Sequence, residues 1–231
     1  MELAPCVIFP AFLALVAALI VYSILKGRRR REAFARLATE MGFLFYPDDP
    51  RGLPTRYAMF DLFGHGHSKK ASNVLVGEEG GREVIAFDYQ YTTGSGKNQT
   101  THYHQAAVLG LPINAARLRM RSENIFDRVA SWVGWDDIDF ESDEFSRRYH
   151  VKCDDRRFAY DVLHARLIEY LLGCGEAPNL EMNGPVMLLY ERRGEVERAR
   201  RLIQIGRDIV QSIPDYVLKA RGIGHAAGDR T

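Results

Sequence analysis

His65 and His67 form one His-x-His pair, and His102 and His104 form another. Residues two apart on a strand project to the same face, so each pair offers two imidazoles to one ion. Convergence of the pairs would supply the four ligands of a tetrahedral divalent-metal site. Nothing in the sequence brings the pairs together, and the competing reading is polar side chains on the solvent face of a hairpin and a loop. No His-Glu-x-x-His motif accompanies them, and His150, His164 and His225 have no metal-ligand spacing between them. A divalent metal on His65, His67, His102 and His104, with Asp137 and Asp139 as added carboxylates, is the one enzyme-like constellation. Without it no cofactor is expected.

Other motifs fall short of chemistry. The densest charge feature is WDDIDFESDE, residues 135–144. Read as a strand, it puts Asp137, Asp139 and Glu141 on one face and Ile138 and Phe140 on the other. Hard cations take carboxylate oxygens, but a calcium loop needs Gly where Ser142 stands and Glu where Arg148 stands. The plainer reading is a charged edge strand protected from pairing with other chains, its charge partly offset by Arg147 and Arg148. Gly94-Ser95-Gly96-Lys97 resembles part of a phosphate loop, yet Tyr91 replaces the first glycine and Asn98 the final Ser or Thr, so a hairpin turn is predicted. Gly64-His65-Gly66 is followed by Lys69 where a dinucleotide fingerprint needs its third glycine. Cys153 and Cys174 have no activating neighbour and read as small apolar residues. Ser131, Ser142 and Ser146 lack the nucleophile-elbow context. No complete catalytic motif is present, so an enzyme is not indicated.

Location is more legible than activity. Residues 3–25 carry no charge, and 20 of these 23 are hydrophobic. As a helix the run spans about 34 Å, against a hydrocarbon core of roughly 30 Å. Pro5 suits a first turn, whereas Pro10 costs one backbone bond. A cleaved signal peptide would carry its positive charge before the run, but that end has only Glu2. The basic cluster Lys26, Arg28, Arg29, Arg30 and Arg31 follows instead, which places the N-terminus outside and the C-terminal domain in the cytoplasm of a single-pass cell-membrane protein. These five residues set topology, and they also suit anionic headgroups, at about 1 kcal/mol each near the surface.

The elements that must position these residues follow from periodicity. The chain has 231 residues, 46% hydrophobic, with 31 Lys+Arg against 30 Asp+Glu and a net charge of +1. That balance argues against a nucleic-acid partner. Three cysteines exclude a disulfide-dense scaffold. Residues 28–41 predict a helical stalk continuing the membrane helix and stopping at Gly42, followed by a Pro-rich connector over 47–54. Strands at 72–77, 83–92 and 101–110, joined by Gly-rich turns, make an antiparallel meander. Residues 118–120 add a short fourth strand and 124–132 a helix. Strands at 138–141 and 147–153 then lead to a helix over 156–172. Strands at 180–182 and 186–191, around Asn183-Gly184-Pro185, lead to a helix over 195–213. The arginines around that last helix raise a membrane-surface role, but its apolar stripe equally suits packing on a sheet. The predicted class is α+β: a membrane anchor (1–26), a stalk (27–46), a cytoplasmic domain (47–213) of one meander and two strand-strand-helix units, and a tail (214–231).

The stretches GREVIAFDYQYTTGSGK and DIDFESDEFSRRYHV resemble those of small bacterial proteins with one N-terminal transmembrane helix and an uncharacterised cytoplasmic domain. The resemblance covers most of residues 28–213, implies a bacterial single-pass membrane protein, and supplies no catalytic residues. The expected function is a membrane-anchored interaction or scaffold domain, with the bilayer contacted through residues 3–25 and a protein partner still to be identified. The alternatives are a metal-dependent enzyme using the paired histidines and a domain that senses anionic lipid.

Overall fold

The computed structural model describes residues 4–122, 137–175 and 178–223, with side chains from Phe12 onward. Helix α1 (Ala4–Met41) joins the apolar segment and the predicted stalk in one uninterrupted element. Its two halves have different surroundings. Phe12, Leu15, Leu19, Ile20, Ile24 and Leu25 are exposed, Leu19 at 58%, whereas Phe34, Leu37 and Ala38 are buried in the domain core. Among the described residues no helix is long and apolar enough to cross a membrane. The described side chains cover only the last 14 residues of the uncharged run that begins at residue 3. The helix stops where the sequence predicts. Gly42 takes φ +70°, and the Gly42 and Phe43 amides donate to the Thr39 and Ala38 carbonyls, a double cap that only a left-handed residue permits.

Six strands form one antiparallel sheet: β1 (Leu44–Asp48), β2 (His67–Glu79), β3 (Arg82–Thr93), β4 (Thr100–Ser122), β5 (Tyr149–Cys153) and β6 (Asn179–Arg192). β2 to β4 make the predicted meander, with the Gly94–Asn98 stretch as its hairpin turn. β1, which the sequence reading assigns to the end of the stalk and the start of the connector, adds a further strand on the β2 edge. β4 is the spine. Along one side its first half pairs with β3 and its second half with β5, while β6 follows both halves on the other side. The register shifts between Gly110 and Leu118, so the even positions His102, His104 and Ala106 share a face with Arg117, Arg119 and Arg121 beyond the bulge.

One face of the sheet carries the larger core. It is covered by the end of α1 and by α5 (Arg156–Val162), α6 (Ala165–Gly173), α7 (Glu197–Ser212) and α8 (Asp215–Arg221). α7 buries Ala199, Leu202, Ile203, Gly206 and Ile209, so its apolar stripe is a packing face. Its arginines are paired: Arg201 with Glu191, Arg207 with Glu79, and Arg200 with Glu197 and with Glu40 of α1. The opposite face carries a smaller, aromatic core under α2 (Leu53–Arg56) and α3 (Asp61–Gly64), including Phe60, Phe63, Phe87, Tyr89 and Tyr91.

Several predicted elements are corrected. Residues 118–120 continue β4 rather than forming a separate strand. The two strands at 180–182 and 186–191 are one, because Gly184, at φ +59°, makes a bulge opposite Ala115 instead of a turn. Residues 138–141 are not a strand; Ser142 caps α4 (Asp143–Arg148) through the Phe145 amide. The helix over 156–172 is broken at Leu163-His164, where His164 caps α6 with Nδ1 and holds the Ser212 carbonyl with Nε2 at 2.9 Å. α2 begins at the end of the predicted connector, and α8 lies in the predicted tail. The second half therefore alternates single strands with helices, and the doubled strand-strand-helix unit is absent from the described residues. The predicted helix over 124–132 lies outside them.

Candidate functional site

The four histidines of the metal reading separate into three and one. Tyr91 lies opposite His102 in the β3–β4 register, two rows from Tyr89 and His104 and so on the same face. Its ring stacks with His102 at 4.9 Å, His104 at 5.6 Å and His65 at 5.8 Å between centroids. His67 goes elsewhere: Nε2 meets the Gly94 carbonyl at 3.0 Å and Nδ1 the Ser68 hydroxyl at 3.0 Å. The His-x-His alternation fails here because Gly66 and Ser68 both adopt positive φ, so the chain is not a regular strand at that point. Gly66 is also pressed against β3, where an added Cβ would sit 2.2 Å from the Thr92 oxygen. His102 holds the Thr93 hydroxyl at 2.9 Å. Among the described residues no group of three or more His, Cys, Asp or Glu side chains is disposed to hold a metal ion.

Beside this stack lies a charge network that the sequence reading did not find. Asp61 opens α3 and accepts from Arg119 at 2.5 Å, while its own amide donates to Glu181 at 2.7 Å. Arg117 approaches Asp61, and Arg121 reaches His65 Nε2 at 3.5 Å. Asp61, Arg119, Arg121 and Glu181 are all buried. Burial, then the nearby Asp61 charge, pushes the Glu181 carboxyl up to about 7. Burial, then Glu181, raises the Tyr190 hydroxyl as well. The buried members of this network fasten α3 to the sheet. Its sequence signal was the alternating Arg117-x-Arg119-x-Arg121, charged on a face that half-buried strands ordinarily keep uniform.

The basic cluster after the apolar run also divides. Arg30 is a structural clamp. Its guanidinium makes a bidentate pair with Asp88 of β3 at 2.6 and 2.7 Å and donates to the Gly194 carbonyl at 2.7 Å. Asp88 is only 2% exposed and also accepts from the Asn73 amide at 2.8 Å. Arg28 and Arg29 are exposed on the outer side of α1. Lys26 and Arg31 line a cleft of about 510 Å³ between α1 and the sheet, together with Lys70, Asn73, Tyr103 and Arg193. The far wall is one cross-strand row: Lys70 pairs with Gln90, Gln90 with Tyr103, and the Arg193 amide donates to the Tyr103 carbonyl. The Arg193 guanidinium lies 4.2 Å over the Tyr103 ring. Among the described residues no carboxylate lines this cleft.

The remaining features are structural or unassigned. The acidic run helps line a second cavity, about 700 Å³, through Asp139, Phe140, Glu141 and Glu144, together with Tyr160, Leu163 and Ile168. Asp137 instead pairs with His150 and Lys152 of β5, so the expected common carboxylate face is not formed. Cys153 is buried, and burial pushes its thiol up to about 11, which suits an inert packing residue.

No family model and no curated protein matches this chain. A solved structure does: that of the mycobacterial trehalose monomycolate transport factor A, TtfA, with a TM-score of 0.53 over 85% of this chain and 97% of that one. The two are 13% identical, and the likeness is one of fold: an α+β chain built on an antiparallel sheet.

Proposed function

We propose that this protein is a single-pass membrane protein whose α+β domain sits against the cytoplasmic face of a bacterial cell membrane and serves there as an interaction module. The observation that carries this reading is the junction between α1 and the sheet. The same helix that displays Phe12 to Leu25 outward buries Phe34 and Leu37 in the core and is clamped by Arg30 on Asp88. A soluble domain has no use for so long an apolar surface projecting from it. A bilayer covers that surface, and the uncharged run of residues 3–25 has the length the hydrocarbon layer requires. The cations that follow the run support a cytoplasmic side for the domain, since positive charge next to a membrane helix favours that side. An interaction role agrees with near-neutral charge and the lack of a complete catalytic motif. The similar solved structure is that of a trehalose monomycolate transport factor, and a membrane-bound protein acting through contacts is compatible with that likeness of fold.

The test is alkaline carbonate extraction of native membranes, followed by gentle detergent purification of the full chain. We expect it to stay in the membrane pellet and to bring down one stoichiometric protein. Release into the carbonate supernatant would sink the anchor. Turnover of a substrate by the partner-free chain would remove the interaction reading.

A further inference from the structure

We propose that the cleft between α1 and the sheet binds the phosphate of an anionic polyol headgroup: Lys26, Arg31, Lys70 and Arg193 surround the phosphate, and the Asn73 amide oxygen accepts from a polyol hydroxyl. The source of this ligand, though not its chemistry, rests on the membrane placement proposed above.

Cations from separate parts of the chain converge on this cleft, and the carboxylates near it are engaged elsewhere. Lys26 and Arg31 come from α1, Lys70 from β2 and Arg193 from the segment after β6. Asp88 is committed to Arg30 and Asn73. Asp48 stands 3.5 Å from Lys70, but both side chains are more than half exposed, a pairing of small worth. Among the described residues no carboxylate pairs with Lys26, Arg31 or Arg193. Like charges facing one another across a narrow space repel, and an anion between them removes that repulsion. Arg193 is already oriented by its stack on Tyr103, leaving its edge N–H groups for phosphate oxygens.

Asn73 supplies the second observation. It sits at φ +52° where the β2–β3 register shifts, and its amide nitrogen is fixed by Asp88. That bond leaves the amide oxygen turned the other way, buried and with no donor among the described residues. Phosphate oxygens cannot satisfy an acceptor, whereas a hydroxyl can. Four cations and one buried acceptor therefore select an anion that also carries hydroxyl donors. The height is right for a lipid. From Lys26 to Arg31 the helix advances about 7.5 Å, similar to a headgroup layer of roughly 5–8 Å.

The full chain, purified in neutral detergent, is titrated with dihexanoyl phosphatidylglycerol, dihexanoyl phosphatidic acid, dihexanoyl phosphatidylcholine, glycerol 3-phosphate and inorganic phosphate, and adducts are counted by native mass spectrometry. We expect one phosphatidylglycerol per chain, held at least tenfold tighter than phosphatidylcholine. The double variant Arg31→Ala/Arg193→Ala should weaken it tenfold or more. Arg28→Ala/Arg29→Ala, which removes the same charge outside the cleft, should change it less than twofold. Asn73→Gly, which keeps the left-handed backbone, should erase the preference for phosphatidylglycerol over phosphatidic acid while phosphate binding remains. Glycerol 3-phosphate binding as tightly as the lipid would support the same site with a soluble source. Absence of any phosphatidylglycerol adduct, or equal weakening by the two arginine pairs, would overturn the cleft. Release of the chain by carbonate would sink the anchor alone, and the glycerol 3-phosphate titration would still decide the site.

Discussion

In the run Lys26 to Arg31 charge is nearly uniform, and helical geometry sorts it. At 100° per residue, Lys26 and Arg30 share a side of α1, while Arg28 and Arg29 point away from the sheet. Only Arg30 meets a buried carboxylate, so removing it leaves Asp88 uncompensated inside the protein. We expect Arg30→Ala to cost about 2–4 kcal/mol, or roughly 5–15 °C in the domain's thermal midpoint, measured on the full chain in detergent. Arg30→Lys should recover part of that loss, since an ammonium keeps the charge but not the fork. Glu181 tests the second buried network. Its folded value near 7 lies above the ordinary 4.5, so the folded state keeps a proton that the unfolded chain releases as pH rises through that window. Stability should therefore fall from about pH 4.5 to pH 7 and level off above. Glu181→Gln should flatten this slope by about 3 kcal/mol, read as denaturation midpoints of variant and wild type at pH 4.5 and pH 8.

Elements were legible wherever one period governed them. The meander, the stop of α1 at Gly42 and the apolar stripe of α7 follow from alternation, turn chemistry and 3.6-residue spacing. The readings failed where a glycine or proline had two uses. Gly184-Pro185 marks a bulge because β4 bends opposite it, a fact of pairing that no local window contains. The split between α5 and α6 was hidden by continuous apolar residues, and His164 reveals itself as a cap only once Ser212 is brought beside it. The His65/His67 alternation failed for a similar reason, with two left-handed residues inside a pattern that looked like strand. The cleft drew its residues from α1, β2, β3, β4 and the segment after β6; only the α1 cations were visible as a group. Gly206 shows how closely α7 approaches the sheet: an added Cβ would stand 2.6 and 2.7 Å from the Leu109 methyl groups. Gly206→Ala should destabilise the domain by about 1–2 kcal/mol despite better helix propensity. Adding Leu109→Val should return part of it, measured as a coupling in a double-mutant cycle.

At the scale of the whole molecule, the chain is a long helix and a sheet-based domain fixed to each other by packing, by the Arg30 clamp and by the pairing of Arg200 with Glu40. α1 is about 57 Å long and has no break between its exposed apolar half and its buried end. Under the proposed placement this turns angle into position. A helix whose apolar length slightly exceeds the hydrocarbon thickness leans to keep that length covered, and it leans further where the bilayer is thinner. With no hinge between rod and domain, a lean of about 10° carries a point about 30 Å from the membrane surface sideways by about 5 Å. That is the width of one side chain, enough to bring a docking surface into register with a neighbour or out of it. The thickness of the membrane would then be read out as the reach of the domain.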